Sequence, residues 1–289
     1  MLILLGFLLV TVAVFGGFAL TGGSMGPLYQ PAEILMIAGA AIGAFVAGNN
    51  GKAIRATVRT FSKLSRSAAY DKALYMELMS VQYKVLSRMR RDGMLGVEQD
   101  IEHPEQSAIF TEHPRILNDP FIMTFLTDYL RLMVSGNMDP LQLDELMNHE
   151  IETFERESHI PSEALGRVGD ALPAFGIVAA VMGVVKALSQ SSAGTGEVGI
   201  MIAHALVGTF LGVLLAYGFV NPLASRIEVQ AKEAVKMMHC IRVTLLAALN
   251  GYAPQLAVEF GRKTLFTSER PSFTELEEHV RSVKNLGAA

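Results

Sequence analysis

Four long uncharged stretches stand out in the pattern of apolar and polar positions along the chain. They cover residues 1–20, 34–48, 171–185 and 198–225. A helix needs about 20 apolar residues to cross a bilayer. The last stretch has 28, of which only His204 titrates near neutral pH. The pattern therefore predicts four membrane-spanning helices.

The first stretch has an alternative interpretation as a cleaved signal peptide. It has no basic residue before its apolar part, and its uncharged run of 20 residues is longer than the usual apolar region of such peptides. We therefore favour a first membrane span.

Charged residues concentrate between Lys52 and Arg167 and again after Arg226, which predicts soluble segments there. Residues 69–94 repeat apolar positions at helical spacing, and Gly93 and Gly96 mark a stop. Residues 101–120 contain three prolines, so we expect an irregular connection.

Two Asp-Pro pairs, at 119–120 and 139–140, predict helix starts. The first helix should run to about Val134. Asp128 and Arg131 interrupt its apolar run, which favours a buried soluble helix over a fifth span. The second helix should run from Leu141 towards His159 and on towards the membrane.

The tail contains two further helical patterns. Residues 228–250 predict that the fourth span continues as an amphipathic helix. Ser272 and Glu275 have the spacing of a capping box, in which each side chain bonds the backbone N–H of the other residue. A last short helix should therefore begin at this pair.

Basic residues predict the orientation, because Lys and Arg are enriched in short cytoplasmic loops. They flank the inner ends of the spans at Lys52, Arg55, Arg59, Lys63, Arg66, Arg167, Arg226, Lys232 and Lys236, whereas the linkers 21–30 and 189–197 have none. Both termini are therefore expected in the cytoplasm.

The predicted fold class is an all-α integral membrane protein with four transmembrane helices, a helical insert between spans 2 and 3 and a helical C-terminal tail. The expected domains are residues 1–50 with spans 1 and 2, 51–170 as a cytoplasmic helical domain, 171–225 with spans 3 and 4, and 226–289 as a cytoplasmic helical tail.

Composition agrees with a membrane protein and excludes other classes. The 289 residues are 51% hydrophobic and 18% charged. A single cysteine, Cys240, excludes an internal disulfide framework. The net charge of −4 gives no basic surface of the kind that binds nucleic acid.

Small residues follow one face of spans 3 and 4 at helical spacing. They are Pro173, Gly176, Ala180, Gly183 and Ala187 on the third, and Ala205, Thr209, Gly212 and Ala216 on the fourth. Such a face lets two membrane helices pack closely, or it lines a path. The pattern alone leaves both interpretations open.

No carboxylate lies in the middle of any span, although ion pathways ordinarily use one. Glu33, Asp170 and Glu197 lie at span ends, where we expect them to face water. His204 is close to the outer end of its span and is expected to be a neutral interfacial histidine. If the chain conducts ions, the titrating acid must come from a partner.

Pro173 and Pro222 lie at the inner ends of spans 3 and 4. A proline frees a backbone carbonyl, so each residue either forms a hinge or marks a helix end.

The sequence contains no enzyme motif, so we expect neither catalysis nor a cofactor. His103 and His113 are expected in a surface loop rather than in a metal site. A basic cluster and an acidic cluster flank the turn at 93–96, and they suit either a charged partner or ordinary solvation. Their members are Arg88, Arg90 and Arg91, and Glu98, Asp100, Glu102 and Glu105.

The chain resembles the flagellar stator subunits of the MotA/TolQ/ExbB proton channel family along its whole length. The resemblance rests on the four spans, the large insert and the segments ALPAFGI at 171–177, NPL at 221–223 and RPSFTELE at 270–277. It implies an inner-membrane complex, a pentamer around two copies of the partner MotB, whose single span brings the proton-carrying aspartate.

The resemblance also implies roles for particular residues. Pro173 and Pro222 would govern the conformational change, Thr209 would face the channel, and Arg90, Glu98 and Glu150 would engage the rotor protein FliG. Sodium-driven relatives tend to have a hydroxyl where Ala180 stands here, so H⁺ is expected rather than Na⁺.

Two alternatives remain from the sequence. One is a TolQ/ExbB-type subunit that energises envelope processes, although such proteins normally show three spans. The other is a membrane scaffold that conducts nothing.

Overall fold

The computed structural model describes residues 2–64, 70–136, 139–189 and 195–286, and within these ranges the chain is helical without a β-strand. The predicted all-α class is confirmed. Four helices are long and apolar enough to cross a membrane, at Leu2–Leu20, Gly26–Gly48, Pro140–Ser189 and Gly196–Leu249.

The helices follow one another along the described chain with short connections. They are α1 (Leu2–Leu20), α2 (Pro31–Gly48), α3 (Gly51–Leu64), α4 (Lys72–Asp92), α5 (Glu98–Glu102), α6 (Ala108–Thr111), α7 (Pro114–Leu117), α8 (Pro120–Ser135), α9 (Pro140–Ser189), α10 (Thr195–Leu215), α11 (Asn221–Leu249), α12 (Pro254–Lys263) and α13 (Phe273–Leu286). Single 3₁₀ turns lie at Gly26–Leu28, Met94–Val97 and Pro104–Gln106. Two π-helical turns lie at Val12–Gly16, within α1, and at Ala216–Val220, between α10 and α11.

Contacts between Cα atoms divide the chain into two units. The first combines residues 1–67 with 158–229, and the second combines residues 68–157 with 230–289. This division groups residues by packing. The predicted boundaries at 50, 170 and 225 concern where the chain crosses the membrane, and they stay predictions.

The first unit has a small core and an apolar outer surface. Its core consists of Ile37, Ala41, Leu172, Ala179, Val207, Leu211 and Ala216. Large apolar side chains on the same helices are exposed, among them Leu4 at 69%, Leu35 at 75% and Ile177 at 55%. Such a surface suits lipid, because an apolar environment favours apolar side chains on the outside as well as between helices.

The second unit has a larger core that includes α8. Ile122, Phe125, Leu126 and Leu130 are each no more than 1% exposed and pack in one cluster with residues from α4, α9, α11 and α12. The prediction that residues 121–134 form a buried helix is confirmed.

The side chains that were predicted to cap helices form the expected hydrogen bonds. The Asp119 side chain accepts from Phe121 N at 3.0 Å and from Ile122 N at 3.1 Å, and Gly136 ends α8 with φ 71°. The capping box at α13 is present in both directions: Ser272 N donates to Glu275 Oε2 at 2.6 Å, and Glu275 N donates to Ser272 Oγ at 3.1 Å.

The expectation of an irregular connection over residues 101–120 is wrong. Within this range lie the end of α5, the 3₁₀ turn Pro104–Gln106, and the helices α6 and α7. Each proline stands at the first position of a helical turn, where a missing N–H costs nothing. The Ser107 hydroxyl accepts from Ile109 N at 3.2 Å and begins α6. The prolines therefore start helices here instead of preventing them.

Candidate functional site

The small faces of α9 and α10 pack directly against each other. A Cβ atom on Gly176 would lie 2.8 Å from the carbonyl oxygen of Gly208 and 3.2 Å from the Cα of Gly212. A Cβ atom on Gly212 would in turn lie 2.6 Å from the carbonyl oxygen of Leu172. These distances are too short for any side chain, so glycine allows the two backbones to touch.

The close approach extends towards the start of α10. A Cβ atom on Gly183 would lie 2.5 Å from the Cβ of Ala205, and Ala187 is fully buried. Within one chain the small faces therefore serve helix packing. Whether the same pair also borders an ion path depends on partner chains.

Two residues predicted for the ion pathway lie along the contact between these helices. The backbone nitrogen of Ala180 lies 3.3 Å from the position of a Cβ atom on Gly208, and Thr209 follows Gly208 directly. Ala180 is 8% exposed, and Thr209 is half-buried with its Cα 3.3 Å from the Cβ position of Gly176. The structure thus places Ala180 beside Gly208, and it places Thr209 beside Gly176, one helical turn before Ala180 on α9.

Glu33 is a site residue that sequence reasoning missed. It stands in the first turn of α2, where a water-facing side chain was expected, but it is only 8% exposed. Its Oε2 atom lies 3.2 Å from the Cβ position of Gly208 and has no hydrogen-bond partner in the described part of the chain. The expectation holds for Asp170 and Glu197, which are exposed, and it is wrong for Glu33.

Pro173 and Pro222 both lie inside continuous helical segments, so the helix-end interpretation is wrong. Pro173 has helix on both sides within α9. Pro222 is the second residue of α11 and directly follows the π-helical turn Ala216–Val220, within the unbroken segment Gly196–Leu249. Each proline removes the hydrogen bond to the carbonyl four residues earlier, at Gly169 and Gly218. A hinge at each remains the interpretation that the structure allows.

A second contact lies near the two prolines, between Asn221 and Gly169. Asn221, which precedes Pro222, places its side-chain oxygen 1.7 Å from the Cβ position of Gly169. That oxygen is buried and has no hydrogen-bond partner among the described residues. The sequence around residues 169 and 221 does not predict this contact.

The charged residues predicted to engage a rotor lie on three helices of the second unit. Arg90 is near the end of α4, Glu98 begins α5, and Glu150 is on α9, and all three are exposed. Within the described residues, neither Arg90 nor Glu98 forms an ion pair. Their neighbours do: Arg88 contacts Asp100 at 2.9 Å, Arg91 contacts Asp92 at 2.9 Å and Arg131 contacts Glu102 at 2.7 Å. Glu105 lies 3.8 Å from His103 Nδ1, so among the described contacts Arg90 and Glu98 are the cluster members without a charged side-chain neighbour in an ion pair or histidine contact.

Glu150 is held by a neutral donor. The Tyr129 hydroxyl donates to Glu150 Oε2 at 2.6 Å. Burial, together with this carboxylate, raises the pKa of Tyr129 above its usual value, so the tyrosine stays protonated and keeps donating. The hydrogen bond fixes Glu150 without cancelling its charge.

The two histidines of residues 101–120 do not form a metal site. In the described part of the chain no group of three His, Cys, Asp or Glu side chains is placed to hold a metal ion. His103 is exposed, whereas His113 is half-buried with its Nε2 3.5 Å from Lys84 Nζ. Burial and this lysine lower the pKa of His113. His113 therefore lies in the connection between α6 and α7, as expected, but it is half-buried rather than fully exposed.

Comparison with known proteins gives the chain its relatives. Residues 4–93 match the family model for the motility protein A N-terminal region, and residues 117–240 match that of the MotA/TolQ/ExbB proton channel family. Motility protein A of Escherichia coli is 57% identical over 285 residues, with 99% of this chain and 97% of the relative covered. Motility protein A of Salmonella typhimurium is 56% identical over the same coverage.

A solved structure agrees with these relatives. The flagellar MotAB stator complex from Bacillus subtilis matches with a TM-score of 0.77 at 26% sequence identity, over 95% of this chain and 98% of that chain. The match covers both units of the present fold. With near-complete coverage at more than half identity, the chain belongs to the motility protein A group of the MotA/TolQ/ExbB proton channel family.

Proposed function

We propose that this chain is a stator subunit of the flagellar motor, which forms with MotB a proton-conducting complex that turns ion-motive force into torque on the rotor protein FliG. The observation that carries the proposal is the α9–α10 contact, where Ala180 lies beside Gly208, the residue before Thr209, and the middle of neither span holds an acid. The relatives named motility protein A and the solved MotAB stator complex support the same function.

Because no acid lies in the middle of these spans, the partner must supply the titrating carboxylate. A MotB-type helix would bring an aspartate beside Thr209, in a pentamer of this chain around a MotB dimer. A proton that crosses the membrane gains about 2.3 kcal/mol per 100 mV. Its arrival on the aspartate removes a charge and so changes which packing against the small faces is favoured.

The pathway suits protons better than sodium. A sodium ion needs several oxygen ligands, and Ala180 supplies no side-chain oxygen at the position where sodium-driven members of the family tend to carry a hydroxyl. Protons need only a titrating group and a hydrogen-bonding hydroxyl, and Thr209 supplies the hydroxyl.

Torque would pass through the unpaired charges of the second unit. Arg90, Glu98 and Glu150 would meet complementary charges on FliG, while Pro173 and Pro222 would let the inner ends of α9 and α11 change angle. In this proposal, residues 51–170 and 226–289 lie in the cytoplasm, both termini are inside and the spans cross the bacterial inner membrane.

Two rival functions remain distinguishable. An envelope-energising subunit would work without a flagellar rotor, and a scaffold would move no ions. The four spans and the near-complete match to motility protein A relatives favour the stator over both.

The test is rescue of swimming in cells that lack their own stator. The chain is expressed alone, its MotB-type partner is expressed alone, and the two are expressed together. The stator function predicts swimming only with both. A correctly inserted, copurifying pair that gives no swimming would contradict it and would leave the envelope-energising and scaffold functions.

A further inference from the structure

Glu33 is a buried acidic side chain in the second span whose chemistry the account so far leaves unused. Glu33 as a whole residue is 8% exposed, and its Oε2 atom is buried without a hydrogen-bond partner within the described residues. An ionised carboxylate in such a place is strongly disfavoured unless it can take up a proton or a counter-charge. A carboxylate without a function at the end of a helix would instead be exposed to water.

The Glu33 carboxylate lies at the level of Gly208, next to the predicted pathway residue Thr209. A Cβ atom on Gly208 would meet Ala179 Cβ at 3.1 Å, Glu33 Oε2 at 3.2 Å and Ala180 N at 3.3 Å. Glu33 therefore reaches the place where α9 and α10 meet, one residue before Thr209. The absence of a side chain at Gly208 gives the carboxylate its room.

Glu33 lies far from the inner end of α2. The inner end of α2 is marked by Asn49, whose Oδ1 accepts from Arg167 Nη2 at 2.9 Å. Sixteen residues separate Asn49 from Glu33, which is roughly 24 Å along a helix. In the predicted orientation, Glu33 is thus a buried acid in the outer half of α2, whereas Glu197, at the outer start of α10, is exposed.

We propose that Glu33 is a proton-binding group of the ion pathway, placed between the outer water and the partner's aspartate. A hydronium ion gives its proton to a Glu33 oxygen and leaves as water, and the neutral acid then passes that proton inward to the partner's carboxylate. The Glu33 carboxylate is restored and no co-reactant is consumed. The inference rests on the proposed stator function and adds a residue of this chain to the proton route.

The surroundings suit a proton more than a metal cation. No group of three His, Cys, Asp or Glu side chains gathers around a metal position in the described chain. The ionisable groups on the packed helices nearest to this level are His204, one turn before Gly208 on α10, and Lys186 on α9, and the 3₁₀ turn Gly26–Leu28 has none. Neither His204 nor Lys186 forms a hydrogen bond or an ion pair with Glu33 among the described contacts.

The first test compares Glu33→Gln with Glu33→Asp, each expressed with the cognate partner in stator-less cells. Swimming speed is measured from external pH 5.5 to 8.5, with membrane content and copurification of the partner as controls. Glu197→Gln is the matched variant, because Glu197 is an exposed acid at the outer start of α10. We expect at least fivefold slower swimming for Glu33→Gln, a retained but pH-shifted speed for Glu33→Asp and no change for Glu197→Gln.

The second test uses the unmodified complex in native membranes. A hydrophobic carbodiimide reacts with protonated carboxyl groups in apolar surroundings, and mass spectrometry locates the adduct. A proton-exchanging Glu33 becomes labelled, and its labelling falls as external pH rises. This readout decides the matter even where Glu33→Gln fails to insert.

The outcomes separate the inference from the stator function. Glu33→Gln with wild-type speed and pH profile overturns the inference, and so does absent or pH-independent labelling, which identifies a permanently protonated structural acid. Failure of the unmodified pair to swim contradicts the stator function instead.

Discussion

The side-chain oxygen of Asn221 occupies the space beside Gly169, 1.7 Å from where a Cβ atom of residue 169 would stand. Gly169 is the residue whose carbonyl loses its helical partner at Pro173, and Asn221 directly precedes Pro222. The contact therefore links the two prolines. We expect a change of angle at one of them to disturb the packing at the other.

Gly169→Ala should block this contact. The methyl group cannot share the position with the amide oxygen, so Asn221 or the backbone must shift, and overpacking of this kind costs about 1–3 kcal/mol. We expect a lower thermal midpoint for the purified complex with its partner and loss of swimming. Gly166→Ala is the matched control, because no atom lies within 4 Å of its Cβ position in the chain. Equal behaviour of the two variants would refute the coupling of the two prolines.

Thr209→Val should impair ion flow more than assembly. Valine has the same shape as threonine but no hydroxyl, so packing changes by no more than about 1 kcal/mol while the pathway loses its hydrogen-bonding group. Swimming speed and copurification with the partner are measured together. Thr57→Val is the control, because the Thr57 hydroxyl is buried on α3 and donates to Ala53 O at 2.8 Å within its own helix. Normal swimming of Thr209→Val with intact copurification would count against the role of Thr209.

Reversing Arg90 and Glu98 together should weaken swimming without lowering the amount of protein in the membrane. Both side chains are exposed and unpaired among the described residues, and such surface changes alter stability by about 0.5 kcal/mol or less. Arg156→Glu with Glu157→Lys is a matched reversal at exposed positions on α9. If Arg90→Glu with Glu98→Lys instead removes the protein from the membrane, the two residues are structural and the contact interpretation is wrong.

Glu275 should anchor α13 in a pH-dependent way. Its hydrogen bonds with Lys72 Nζ, at 2.7 and 2.8 Å, and then those with Ser272 lower the pKa of Glu275 from 4.5 to about 2. The folded pKa is below the unfolded one, so the stabilisation is fully present above about pH 4.5 and is lost as pH falls towards 2. Because both side chains are about half exposed, the effect should be modest.

Hydrogen exchange of the peptide covering residues 270–280 measures this anchor. Glu275→Gln should lower protection at pH 7.5, whereas Glu278→Gln, at an exposed position on the same helix, should not. Wild-type protection that stays constant down to pH 2 would contradict the assignment.

The sequence predicted those parts of the fold whose causes are local. Asp119 and Ser272 with Glu275 determine the starts of α8 and α13 through bonds to residues two or three positions away. The four spans follow from uncharged length alone. Prolines misled the prediction at residues 101–120, because the rule for helix interiors was applied to residues that occupy first turns.

The candidate site was predictable only in outline. The small faces of α9 and α10 indicated close packing, but their spacing does not say that Gly176 meets Gly208 and Gly212. The burial of Glu33 depends on Gly208, which is distant in sequence, so helix-end position gave the wrong environment. Asn221 and Gly169 likewise meet only in the folded chain.

The measurement that tests the account most directly is the rotation speed of single motors driven by this chain and its partner in stator-less cells. Speed is recorded across a sodium series and then during addition of a protonophore, with intracellular pH followed in parallel. The account predicts rotation that persists without sodium and stops as the protonophore collapses the proton gradient. Rotation that follows the sodium concentration and survives the protonophore would contradict the proton pathway.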